Sequence, residues 1–175
     1  IGFEGFYGDE AAFEKRFKFL QRVGAKRMAI SFPPDDHLNK LKVIERLAEK
    51  YDVYCGIHNH GGYDWLGSRR ILKYIFANCG PRIGLEMDAA WAMQAGENPI
   101  EMAEQFIDRL YGVHFKDFIF DRAGHGADVV VGEGNLDLKK LVEIVRVKAP
   151  AGCISVIEYE ADEQNPAPAI SKCVE

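Results

Sequence analysis

Nothing in this chain collects basic charge. Its 22 Lys and Arg residues are outnumbered by 27 Asp and Glu, for a formal net charge of −5. No window gathers the dense Lys/Arg run that a phosphate backbone or an anionic membrane surface attracts, so no nucleic acid partner is expected. No apolar stretch nears the roughly 20 residues that span a bilayer, and no membrane partner is expected either. Cysteine is scarce and scattered. Cys55, Cys79, Cys153 and Cys173 form no C-x-x-C pair and no secreted-type framework, so they read as reduced, buried thiols. That suits a reducing compartment, and a cytoplasmic location is expected over a periplasmic one. The chain also lacks an initial Met, opening Ile-Gly-Phe, so a processed or truncated N-terminus is allowed for and a missing signal peptide carries no information.

What is present describes one globular domain: 175 residues, 47% of them hydrophobic and 28% charged. At this size a chain hides roughly two-thirds of the surface it exposes when unfolded, so it folds without disulfides or a structural metal. Any metal site would therefore be there for function.

Helical and strand patterns alternate. Residues 10–23 place Phe13, Phe17, Leu20 and Val23 at helical spacing, with Gly24 where a C-terminal cap belongs. Arg27 to Phe32 is a short apolar run closed by Pro33-Pro34, read as a buried strand. Further helices are expected over 36–50, 67–78, 98–109 and 136–148, and further strands over 53–57, 83–88, 111–118 and 154–159. Five strands separated by helices argue for a parallel α/β sheet.

Polar residues sit at the C-terminal ends of four of these strands: His58-Asn59-His60, Glu86 and Asp88, His114 with Lys116-Asp117, and Glu158 with Glu160. A (β/α)₈ barrel places its chemistry there, whereas an open sheet binds at one switch point, so contributions from successive strands favour the barrel. Side chains two apart on a strand share a face, so one imidazole or carboxylate from each strand can converge near the barrel axis. A His, Asp, His and Glu set suits Mn²⁺, Zn²⁺, Co²⁺ or Fe²⁺ better than calcium. Each of these residues alone has an ordinary alternative as a helix cap, an ion-pair member or a surface histidine; the weight lies in four together on adjacent strands. Glu86 reads equally as a support for the centre or as an ion-pair partner. Trp65 and Trp91 read as packing, His125 as a solvated loop residue, and Gly132-Glu133-Gly134 as a flexible turn.

The segments GIHNHGG (56–62), IGLEMDAAWAMQAGENP (83–99), YGVHFKDF (111–118), VGEGNLDLKKL (131–141) and ISVIEYE (154–160), in this order, resemble the sugar phosphate isomerase/epimerase superfamily. This is the xylose isomerase-like TIM-barrel family, AP endonuclease family 2, which also holds ketose 3-epimerases, inosose dehydratases and type IV AP endonucleases. The resemblance implies a divalent metal (Mn, Zn, Co or Mg) on His58, Asp88, His114 and Glu158. His58 stands where the family usually has Glu, and Trp91 where a His often follows the Asp. The implied activity is isomerisation or epimerisation of a ketose, keto-sugar or sugar phosphate through a metal-stabilised enediolate. Glu158 would be the base, Lys116 would steady the oxyanion, and His60 or Glu160 would return a proton. Because His58 cannot act as a second carboxylate base, a keto-sugar dehydratase or lyase is the alternative, and a non-catalytic sugar-binding barrel is the third. An amidohydrolase reading of His58-x-His60 fails on position, since a strand–helix unit precedes it. The endonuclease branch lacks its extra ligands and basic face.

A complete barrel needs about 250 residues. The resemblance therefore makes residues 1–175 a single partial domain, barrel units four to eight, with the first three strands missing and the last helix truncated. An unclosed sheet leaves two unpaired edges, so either a missing N-terminal segment or homo-oligomer formation is expected to cover them.

Overall fold

The computed structural model describes residues 3–62 and 64–174. Amphipathic helices and short buried strands alternate along it. Helix α1 (Glu10–Val23) buries Phe13, Phe17 and Leu20 on one stripe; the Asp9 carboxylate accepts the Ala12 N–H at 2.9 Å, and Gly24 closes the helix in the left-handed region at φ 70°. A buried stripe also sets α2 (His37–Lys50), and stripe and cap together set α3 (Arg69–Ala77, capped by Ser68) and α6 (Leu138–Lys148, capped by Asp137). Their buried faces pack on the sheet, in one core that joins Leu20, Ile44, Leu72 and Leu141 to Met28, Ile57, Leu85 and Val113 of the strands.

The sheet has six parallel strands in the order β1 (Phe3–Gly5), β2 (Arg27–Ser31), β3 (Tyr54–His58), β4 (Ile83–Asp88), β5 (Leu110–Phe115) and β8 (Ile154–Ile157). Strand β4 is buried at all six positions, as expected of a parallel strand covered on both faces. Among the described residues β1 and β8 do not pair, so the sheet is an incomplete barrel.

Three expectations are corrected. Among the described residues the sheet has six strands where the sequence suggests five, because Phe3–Gly5, too short to display any alternation, pairs with β2 through Phe3↔Ala29 to Gly5↔Ser31. Among the described residues the sheet thus supplies six parallel strands of a partial barrel. The single strand expected over 111–118 breaks at Lys116. Beyond the Glu158 N–H bond to the Phe115 carbonyl (3.1 Å), the chain leaves the sheet and enters an antiparallel hairpin, β6 (Asp117–Phe120) with β7 (Gly126–Val129). The Asp117 carboxylate draws it away, accepting the N–H groups of Gly132, Gly134 and Leu136 at 3.1, 2.9 and 2.9 Å. Those bonds also make the Gly132-Glu133-Gly134 segment a tethered loop, not a flexible turn.

Two short helices depart from the pattern expected of the sequence. Helix α4 (Ala89–Gln94) starts directly from β4, and α5 (Pro99–Gln105, capped by Asn98) ends before a 3₁₀ turn at Ile107–Arg109. A final helix, α7, spans Ala167–Cys173. None of the described helices is long and apolar enough to cross a membrane.

Candidate metal centre

Adjacent parallel strands carry the polar side chains to the same end of the sheet. His58 ends β3, Asp88 ends β4, His114 lies opposite Asp88 on β5, and Glu158 follows β8 by one residue. One donor atom from each of the four lies within 4.8 Å of the others. His58 Nε2 is 4.0 Å from Asp88 Oδ2, and the His58 and His114 rings meet edge-on with centroids 5.0 Å apart. All four residues singled out as ligands from the sequence are thus brought together.

Asp88 serves two purposes. Its Oδ1 accepts the Trp91 N–H at 2.9 Å and caps α4, which fixes the side chain; its Oδ2 is buried and, among the described residues, accepts no hydrogen bond. A buried carboxylate oxygen without a donor is costly unless a cation takes it up. The neighbouring Asn59 clamps the strand ends together: its Oδ1 accepts the Asp88 N–H at 2.8 Å and its Nδ2 donates to the Asp88 carbonyl at 3.0 Å. Sequence reading assigned Asn59 no role, although its place between two histidines was the available signal.

The protonation states follow from these surroundings. Burial pushes the Asp88 carboxyl up to about 7, and burial together with the adjacent His114 pushes His58 down to about 4. Burial alone would favour neutral His114, but its hydrogen bonds with Glu158 and Glu86 outweigh it and raise it to about 10. The His114 hydrogen bond holds Glu158 at about 2; burial opposes this and Lys116 adds to it. His114 Nδ1 makes a short contact with Glu158 Oε2, while its Nε2 lies 3.5 Å from Glu86 Oε1.

Lys116 is fully buried among carboxylates. Its Nζ donates to Glu158 Oε1 at 2.8 Å and to Glu160 through a short bond, and Asp128 Oδ2 of β7 lies 3.9 Å away. Burial opposes its charge, but the bonds to Glu158 and Glu160 raise its pKa overall. Asp128 is a residue that sequence reading missed, because the hairpin that delivers it was not read. It holds Glu160 in place by accepting its N–H at 2.7 Å.

Beside the donors lies a cavity of about 260 Å³ lined by His58, His60, Trp91, Glu158 and Glu160. His60 stacks on Trp91 with centroids 3.9 Å apart, so Trp91 forms part of the site wall as well as packing on Phe118. Trp65 stays outside, donating its Nε1–H to the Phe32 carbonyl, and His125 is exposed beside Asp121.

The donor set fits a divalent transition ion: two imidazoles and two carboxylates within 4.8 Å of one another, and one buried carboxylate oxygen with no hydrogen-bond donor among the described residues. Comparison with known proteins agrees on the fold. An inosose dehydratase from Lacticaseibacillus casei is 25% identical over 190 residues, covering 87% of this chain and 63% of that protein. A 3-oxo-isoapionate decarboxylase from Pectobacterium atrosepticum is 26% identical over 117 residues, 64% of this chain and 42% of that one. The chain thus spans less than two-thirds of the curated relatives it matches. The crystal structure of the IOLI protein with a bound zinc atom superposes with a TM-score of 0.78 at 15% identity, covering 99% of this chain and 72% of that one. Residues 12–173 match the family described as xylose isomerase-like TIM barrel, and the chain belongs to it.

Proposed function

We propose that the protein is a divalent-metal-dependent enzyme that removes a proton beside the carbonyl of a sugar-like ketone, with His58, Asp88, His114 and Glu158 holding the metal. The observation that carries this reading is the convergence of those four donors, within 4.8 Å of one another, at the mouth of a cavity. A divalent ion there supplies Lewis-acid polarisation of the substrate carbonyl. Zinc is the first metal to test, since the IOLI protein carries it.

The chain's own groups divide the remaining work. Glu158 is held ionised, the form a base needs, and borders the cavity, so it takes the proton. Lys116 keeps Glu158 oriented through its 2.8 Å bond and is itself steadied by Glu160 and Asp128. It therefore acts first on the base, and an oxyanion comes second among its partners. His60, stacked on Trp91 at the cavity wall, hands a proton to the substrate on the other side.

Two outcomes share this first step. Returning the proton to carbon isomerises or epimerises the sugar. Protonating a hydroxyl one carbon further on releases water and leaves an unsaturated ketone. The elimination branch has the stronger support: His58 occupies the place of a second carboxylate base, and the relatives at 25% identity are inosose dehydratases.

The test is incubation of the Zn²⁺- or Mn²⁺-loaded protein in D₂O with ketoses and keto-inositols, followed by NMR. Water loss identifies a dehydratase, and deuterium beside the carbonyl without elimination identifies an isomerase or epimerase. Silence with all of them overturns the proposal. Glu158→Gln is expected to slow either reaction by about 10²–10⁴-fold.

A further inference from the structure

Glu86 has no part in the reaction just described, yet the fold goes to some length to house it. It lies in the middle of β4, buried, one layer beneath Asp88, with His58 as its register partner on β3, Gly112 as its partner on β5, and Gly56 of β3 against its Cβ. Neither glycine needs an unusual backbone; each is there for space. A Cβ at Gly56 would lie 2.8 Å from the Glu86 Cβ, and one at Gly112 would lie 2.0 Å from Glu86 Oε1. Two flanking strands thus leave a slot that fits this side chain. An ordinary core position on a strand buried on both faces would hold an aliphatic residue, as Leu85 and Met87 do on either side.

The slot points Glu86 at one side chain. His114 Nε2 lies 3.5 Å from Glu86 Oε1, while the other ring nitrogen, Nδ1, faces Glu158 within the donor set. The two nitrogens of His114 are therefore shared out between a carboxylate below and the centre above. A histidine ligand is held in one tautomer when its second nitrogen donates to such an acceptor.

We infer that Glu86 is a positioning residue, which accepts the Nε2–H of His114 and so presents Nδ1, stripped of its proton, as the metal-binding nitrogen. The inference rests on the metal centre proposed above. Metal loading displaces the Nδ1 proton to solvent, and the Nε2 proton stays on the bond to Glu86. The glycines at 56 and 112 belong to the same device, because either replaced by a larger residue would force Glu86 out of line with His114.

The experiment uses Zn²⁺, which is diamagnetic, and reads both binding and tautomer. In the ¹⁵N-labelled, zinc-loaded protein, long-range ¹H–¹⁵N correlation is expected to show His114 protonated at Nε2 and ligated at Nδ1. Zinc affinity, measured against a competing chelator, is expected to fall about 10–100-fold in Glu86→Leu and less in Glu86→Gln, which keeps an acceptor oxygen in the slot. Zinc bound through His114 Nε2 in the unaltered protein overturns the inference without any variant. So does an affinity within about threefold of the original in Glu86→Leu while His114→Ala loses zinc. If His114→Ala binds zinc as tightly as the unaltered protein, the metal centre itself falls, and the positioning role with it.

Discussion

His114 and Asp88 resist a cation through their protons. At neutral pH His114, raised to about 10, favours its protonated form, and Asp88, raised to about 7, keeps its proton to higher pH than a solvated carboxyl does. His58 near 4 is already neutral and Glu158 near 2 already ionised, so neither competes. A metal must displace one proton from His114 and a share of one from Asp88. Both groups become ready ligands as pH rises, so apparent affinity for Zn²⁺ is expected to climb about tenfold or more per unit between pH 6 and 8. Chelator competition at several pH values measures the slope. Calorimetry in two buffers of different ionisation enthalpy counts the protons released. A flat profile would mean that His114 is not a ligand.

At the level of elements, the least legible part is the one that organises the cavity. Helix α1 and strand β4 could be read to the residue, since a stripe of Phe13, Phe17 and Leu20, and a short run of Ile83, Leu85 and Met87 set off by Gly80-Pro81 before it, declare themselves locally. The four donors could be read because each lies at or within one residue of a strand's C-terminal end. The hairpin of β6 and β7 could not, because its cause is long-range: Asp117 meets N–H groups that lie 15, 17 and 19 residues further along. Nothing in the string FKDF marks that aspartate as a loop anchor, and Asp128 was hidden for the same reason. Removing the anchor is therefore informative. Asp117→Ala leaves three backbone donors without their charged acceptor, Leu136 N–H among them in a fully buried setting. A loss of about 2–3 kcal/mol is expected in urea unfolding, since hydrogen bonds to charged groups are worth roughly that and unpaired buried donors add to it. Asp117→Asn is expected to lie between, retaining an acceptor oxygen without the charge. An unchanged midpoint in Asp117→Ala would show that the loop is held by its other contacts.

Across the whole molecule, stability runs downhill from the middle of the sheet to one side. Strands β3 and β4 have neighbours on both edges and are buried nearly throughout, and helices cover them. Among the described residues β8 pairs only with β5, and Ile154, Ser155 and Val156 are exposed, so its bonds to Val113 and His114 stand next to water. Local opening follows burial and contact density. Native-state hydrogen exchange of the 175-residue chain is therefore expected to find the slowest amides in β3 and β4, near the global unfolding free energy, and the fastest sheet amides in β8. That gradient crosses the proposed metal centre, for His58 and Asp88 belong to the buried side and Glu158 follows the exposed edge strand. Binding a cation at all four residues joins the two sides, and anything that binds only the closed form stabilises it by mass action. Saturating Zn²⁺ is thus expected to slow exchange in β8 far more than in β3. Equal protection of both strands would place the bound ion on His58 and Asp88 without Glu158, and would leave the proposed base outside the centre.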